Sequence, residues 1–481
     1  MPEVGLAVFL TLFGAWEAPY CEGNRLHSQG RLLEADEKYQ QSLAVLRMFG
    51  RRDPAYATVA NNGGTLAEGL GRYEAAGQAF RDAAQVLQEC GSRHDGERAR
   101  AYTNLGSLEM RRGRFQESQL WLRQALSIQE RIHSVALGHT YIALANLELL
   151  RRDAGAASTY LDNARSAMNR YGNENDDETS FLVTRCWQLT MSGSNEEAGR
   201  VCAVAHRAVR AEVGNDHSRM AVLELHRAQL AKQTGELDQA AESYRAAASI
   251  FAGLSGPQSA PYARAIMGLA NVRRMQYQFP SALTLAERAL RVFSSASDSS
   301  PLDRQAALQL VADLDRLQGN NAEAEQSIRQ SMRLAEETMG PSSTAAADGM
   351  NTLAVILYSH SEKLDEAAAL LERCLEIRTK QFGVWHLFLA DPLSNLGFVR
   401  IAQHRNAEAA RLFEKSLALR QEAVGIDHPS LAPILMGYAK ALDGLGDKGQ
   451  AKWARSLAVK LSASSRNPSR YVVAYGDLTH R

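Results

Sequence analysis

Small residues recur at one position of this chain every 39 to 43 residues, and this spacing limits what it can fold into. They are Ala35, Ala76, Ser118, Ala157, Ala198, Ala240, Ala282, Ala324, Ala367, Ala409 and Ala451. Seven residues after each anchor comes another Ala, Ser or Cys, from Ser42 and Ala83 through Cys374 to Ala458. Seven residues make two helical turns, so both members of a pair share one helix face. Small side chains there let a neighbouring helix approach closely, while residues such as Leu122 and Leu126 fill the space between. Five positions before the anchor, seven repeats carry glycine: Gly30, Gly71, Gly113, Gly193, Gly235, Gly319 and Gly446. A residue with positive φ ends a first helix there, so each repeat reads as helix, turn, helix. One such hairpin cannot bury its own apolar face and needs a copy on either side.

The order N-L-G/A, then G-x-Y/F-x-x-A, then an aromatic residue or Leu, then small-Leu, resembles the tetratricopeptide repeat. The period of about 42 is similar to the kinesin light chain variety. Its G-x-x-H-P joint stands at Gly425–Pro429, and Gly383–His386 and Gly214–His217 match without the proline. Gly340-Pro341 departs further from that joint. The resemblance covers about Trp16 to Leu461 and implies an all-α fold, a right-handed α-solenoid of about eleven helix-turn-helix repeats. It implies a role in protein–protein interaction and no chemistry of its own. No heptad segment precedes the repeats, so a motor-adaptor role is not implied.

The period breaks in places. Arg152 and Asp153 stand where the fourth repeat should turn, and Gly172–Ser180 is polar and acidic, reading as an exposed linker with Asp177 or Glu178 near a helix start. The ninth repeat gains a residue around His360–Lys363. Arg455 replaces the aromatic residue of the eleventh repeat, and Lys448, Lys452 and Lys460 make that helix basic, as a solvated capping face would be. Three segments follow: an apolar N-terminal segment (1–15), the repeat array (16–464), and a polar linker with a strand-like or disordered tail (465–481). The uncharged run Val4–Ala15 suits the apolar core of a signal peptide and is short for a membrane span. With Glu3 before it and no Lys or Arg, a first helix packed on the array is the alternative. Because the repeats begin just after the run, an exported or envelope-associated chain is favoured over a cytoplasmic one.

The chain has 54 acidic and 54 basic residues, a net charge of +0, which argues against bulk electrostatic binding of nucleic acid. Membrane attachment is expected only if the N-terminal segment anchors. The five cysteines form no C-x-x-C pair; Cys186, Cys202 and Cys374 fall in packing slots and read as small core residues, with no disulfide framework. His217, His386 and His428 belong to linkers and read as structural. No metal site, cofactor site, phosphate loop or nucleophile motif emerges, so the chain reads as a non-enzyme.

What remains is a surface. The resemblance places the family's groove on the first helices, at Asn61 and Asn62 in the second repeat, Arg100, Asn104 and Arg111 in the third, and Asn146 in the fourth. Arg264 and Asn271 follow in the seventh, Asn351 in the ninth and Asn395 in the tenth. Asn can donate to and accept from a peptide backbone, and Arg can hold carboxylates. The alternative is that these amides are struts between neighbouring repeats. The sixth and eighth repeats carry His226, Gln229 and Asp313 instead, which interrupts any ladder. The expected role is a scaffold binding an extended segment of a protein or peptide partner. A regulatory peptide receptor, or an accessory subunit of an envelope or secreted enzyme complex, is the alternative.

Overall fold

The structure is a computed structural model that describes residues 15–463 apart from 49, 51–52, 174–176, 296–298 and 360. The expected N-terminal segment, Ala15 aside, and the C-terminal tail lie outside the described residues. Among those described, 22 α-helices pair into eleven hairpins and no strand occurs. The first six hairpins are Glu17–Ser28 with Leu32–Met48, Pro54–Gly69 with Tyr73–Glu89, Asp95–Arg111 with Phe115–Arg131, Leu137–Leu150 with Ala154–Tyr171, Asp177–Met191 with Asn195–Val213, and Ser218–Thr234 with Leu237–Ser255. The other five are Ala260–Met275 with Phe279–Ser295, Pro301–Gln318 with Asn321–Met339, Thr344–Leu357 with Leu364–Phe382, Ala390–Ala402 with Asn406–Val424, and Ala432–Leu445 with Lys448–Ala463. The expected all-α repeat fold is therefore present.

The small-residue period is the packing code. All eleven anchors are fully buried, and the residues seven further on expose at most 1%. Serine is tolerated in the second slot because its hydroxyl reaches a carbonyl 26 residues earlier. Ser42 donates to Trp16 (2.9 Å), Ser331 to Gln305 (3.2 Å) and Ser416 to Ala390 (2.7 Å). In four hairpins a large side chain four residues after the anchor seats on a first-helix glycine sixteen residues before it: Tyr39 on Gly23, Phe80 on Gly64, Leu122 on Gly106 and Phe413 on Gly397. A Cβ on Gly64 would come within 2.6 Å of the Phe80 ring, and one on Gly106 within 2.5 Å of Leu122. Burying each such side chain contributes roughly 1.5–3 kcal/mol.

The turns obey one backbone rule. All seven expected glycines have positive φ, between 74° and 87°. In three of the four repeats lacking glycine, Arg152 (67°), Tyr277 (59°) and His404 (60°) adopt the same left-handed region. Hairpin nine instead absorbs its extra residue in a short 3-10 turn, Ser361–Lys363. The linker histidines 217, 386 and 428 cap the next helix, each accepting a backbone N–H at 3.2–3.3 Å through Nδ1.

The chain forms two compact units, with the division running through hairpin seven. The first holds the residues up to 272 together with 288–300, and the second holds 273–287 and the residues from 301 onward. In the first unit, the turn of hairpin one reaches hairpin six: a Cβ on Gly30 would stand 3.2 Å from the Leu254 side chain.

Two expectations need correction. Asp177 is not part of an exposed linker; it is fully buried at the start of its helix, its Oδ1 3.3 Å from Nδ1 of His139. Cys186 and Cys202 are not merely small core residues, because they form a disulfide. They occupy the two slots, sixteen residues apart, where other hairpins seat a large side chain on glycine, so their side chains face each other across the hairpin with 5.0 Å between Cα atoms.

Candidate peptide-binding face

In the first unit the first helices of hairpins two to six lie side by side and carry most of the expected groove residues. Asn104 donates its Nδ2 to Oδ1 of Asn61 on the preceding hairpin at 3.0 Å. Asn62 reaches back in the same way, to the Tyr20 hydroxyl at 3.0 Å and Oδ1 of Asn24 at 3.3 Å. Asn24 also accepts from the Tyr39 hydroxyl at 2.7 Å. These amides sit half-buried, so each bond satisfies groups that would otherwise lose water unrewarded. Asn395 is buried and donates to Asn351 at 2.9 Å in the second unit, leaving its own Oδ1 buried without a partner. The amides are thus struts between consecutive hairpins.

The arginines are placed differently. Arg100 and Arg111 are exposed, flanking half-buried Asn104 on one helix. The Nε of Arg111 lies 2.9 Å from Oε1 of Glu68, an ion pair off the hydrogen-bond line. Burial pushes the Glu68 carboxyl up from its ordinary range, and the Arg111 guanidinium pulls it part of the way back. Asn146 is half-buried on hairpin four and makes no side-chain hydrogen bond among the described residues. Asn271 donates to Met267 of its own helix at 3.4 Å, and Arg264 is half-buried two turns before it. Asn61 and Asn104 come together, as do Asn351 and Asn395; no continuous ladder forms among the described residues.

Family models for the tetratricopeptide repeat match residues 218–295, 303–380 and 388–452, and a second such model matches 98–136. The chain belongs to the tetratricopeptide repeat family. Among solved structures, the apo form of the quorum sensor NprR from B. thuringiensis is 13% identical, covers 76% of this chain and 99% of its own, and superposes with a TM-score of 0.56. The apo form of RapI is 12% identical over 68% of this chain and 98% of its own, with a TM-score of 0.49. A Podosopora anserina protein described as a kinesin light chain with nearly identical TPR-like repeats is 20% identical over 42% of this chain and 96% of its own, with a TM-score of 0.35. No curated protein matches the chain in sequence.

Sequence reasoning on this tetratricopeptide repeat chain missed several members of the face. Tyr20 stands 42 residues before Asn62, so the period itself could have found it. Glu68 carried no signal, being an ordinary helix carboxylate until Arg111 meets it. Trp187 and His226 stack across hairpins five and six, ring centroids 4.9 Å apart and planes at 12°. No described helix is long and apolar enough to cross a membrane.

Proposed function

We propose that the chain is a non-catalytic interaction scaffold whose first-helix face around hairpin three holds an extended, partly acidic segment of a partner protein. The observation that carries this reading is the exposure of Arg100 and Arg111 on a face whose amides are already engaged with one another. The Asn61–Asn104 bond fixes the floor, and the exposed guanidinium groups stand at its surface, where the carboxylates of a partner would compete for them as Glu68 does for Arg111. Eleven residues separate the two arginines, about 16 Å along the helix. A strand running along that helix advances about 3.3 Å per residue, so the carboxylates recognised are about five residues apart.

The test uses the full chain as bait, in the native form and as the double variant Arg100→Ala/Arg111→Ala, with quantitative comparison of what co-purifies. A partner that is lost from the double variant and carries acidic residues at that spacing supports the reading. A partner retained in full by the double variant and lost from a variant of the second-helix face overturns it.

A further inference from the structure

Hairpin five differs from its neighbours in a way that sets a cysteine of a disulfide in a cavity wall. In hairpins four and six the residue four after the anchor is large, Leu161 and Tyr244, and in hairpin two Phe80 at that position packs against Leu105 and Leu108 of the next hairpin. In hairpin five that residue is Cys202, bonded to Cys186 of the paired helix. The equivalents of Leu105 and Leu108 in hairpin six are Arg227 and Leu230, and they line an open cavity of about 460 Å³. Gly199, Cys202 and Ala203 line it from the second helix of hairpin five. Cys202 is a wall residue and 3% exposed; Cys186 is fully buried and takes no part in the lining. Of the two bonded cysteines, Cys202 alone borders the cavity.

We propose that Cys202 is a thiolation site, at which a low-molecular-weight thiol entering this cavity opens the bridge. The thiolate attacks Sγ of Cys202, forming a new S–S bond as the Cys202–Cys186 bond breaks, and the electron pair leaves on Cys186, which takes a proton from water. A second thiolate then attacks the adduct, releasing the symmetrical disulfide of the small thiol and the Cys202 thiolate. The pair is reduced by two electrons and two small thiols are oxidised. The step uncouples the helices of hairpin five, one of which carries Trp187 beside Cys186 in sequence and stacked on His226 of hairpin six.

The experiment exposes the oxidised full chain to reduced glutathione, quenches with acid at intervals, and maps adducts by mass spectrometry. Peptide mapping separates this site from the free Cys21, Cys90 and Cys374. The expected adduct is on Cys202 with Cys186 as free thiol. Gly199→Phe adds a ring to a lining position of the cavity where a Cβ would meet nothing within 4 Å. That variant, shown by circular dichroism to be folded, should form the adduct at least tenfold more slowly. An adduct on Cys186, an unchanged rate in Gly199→Phe, or a rate that rises with urea in proportion to global unfolding would overturn the proposal.

Discussion

Two glycines near the end of the array, 21 residues apart, allow one torsion to be weighed by itself. Gly446 ends the first helix of hairpin eleven at φ 83°, ψ 3°, and Gly425 ends the second helix of hairpin ten at φ 85°, ψ 164°. Their φ values agree within 2°, and a Cβ on either would meet nothing within 4 Å, so only ψ distinguishes them. Replacing both by Asn separates the two backbone regions. At Gly446 the left-handed conformation costs an ordinary L-residue about 1–2 kcal/mol, and Asn sits at the low end. Loss of glycine's unfolded-state entropy returns roughly 0.5–1 kcal/mol, leaving a net cost of about 0–1. At Gly425 the conformation belongs to a region that is essentially glycine's alone, costing up to roughly 3 kcal/mol. Gly425→Asn should therefore destabilise by about 1 kcal/mol or more beyond Gly446→Asn. Stability in such arrays is largely a local sum, so hydrogen exchange over residues 432–463 reads the difference best. Equal protection in the two variants, or greater loss in Gly446→Asn, would refute the reasoning.

Other outcomes follow from the same packing. Ala240→Leu puts three extra carbons into a fully buried inter-helix slot and should cost roughly 1–3 kcal/mol by urea denaturation. Burial holds the His226 imidazole down to about 4. The unfolded chain then takes up the proton first, so stability falls as pH drops from about 6.5 towards 4, by at most about 3 kcal/mol. The ring is only half-buried by area, so solvent screening makes the loss smaller, and His226→Gln should flatten that limb of the pH–stability curve. If Val4–Ala15 directs export, into an oxidising compartment where the Cys186–Cys202 bridge persists, the mature terminus should lie near Trp16. An intact Met1 or Pro2 on cytosolic protein would contradict this.

The fold was legible because one constraint repeats eleven times. A position that must be small to let two helices touch cannot drift, so Ala76, Ala240 and Ala409 record the packing directly. The turn survives even where glycine is missing, since Arg152 and His404 adopt the glycine conformation; the sequence showed Arg152 only as a break in the pattern, because a residue type does not reveal its torsion. The disulfide was missed although its slots were visible, because the pairing of slots sixteen residues apart emerges only once the hairpin closes. The candidate face was half legible. Its helix and residues could be counted back from the anchor, but rotamers decide whether an amide faces a ligand or its neighbour, and Asn61 and Asn104 face each other. Loss of Asn104 should therefore loosen the array as well as weaken binding, and loss of Arg111 should do so too, since it leaves the buried Glu68 carboxyl without its cation.

The central claim is that the Arg111 side of the face meets a partner carboxylate, and a titration with opposite expected signs tests it most directly. The acidic segment of the captured partner is titrated against the native chain, Arg111→Ala and Glu68→Gln. Removing Arg111 deletes a charge-assisted contact of roughly 1.5–3 kcal/mol and should weaken binding by one to two decades. Removing the Glu68 charge releases the half-exposed Arg111 guanidinium from its buried partner 2.9 Å away and should tighten binding, because Arg111 no longer has to leave that carboxylate to meet the ligand's. General loosening of the fold would weaken both. Tighter binding by Glu68→Gln alongside weaker binding by Arg111→Ala is the predicted result; two losses, or no change in either, would contradict the account.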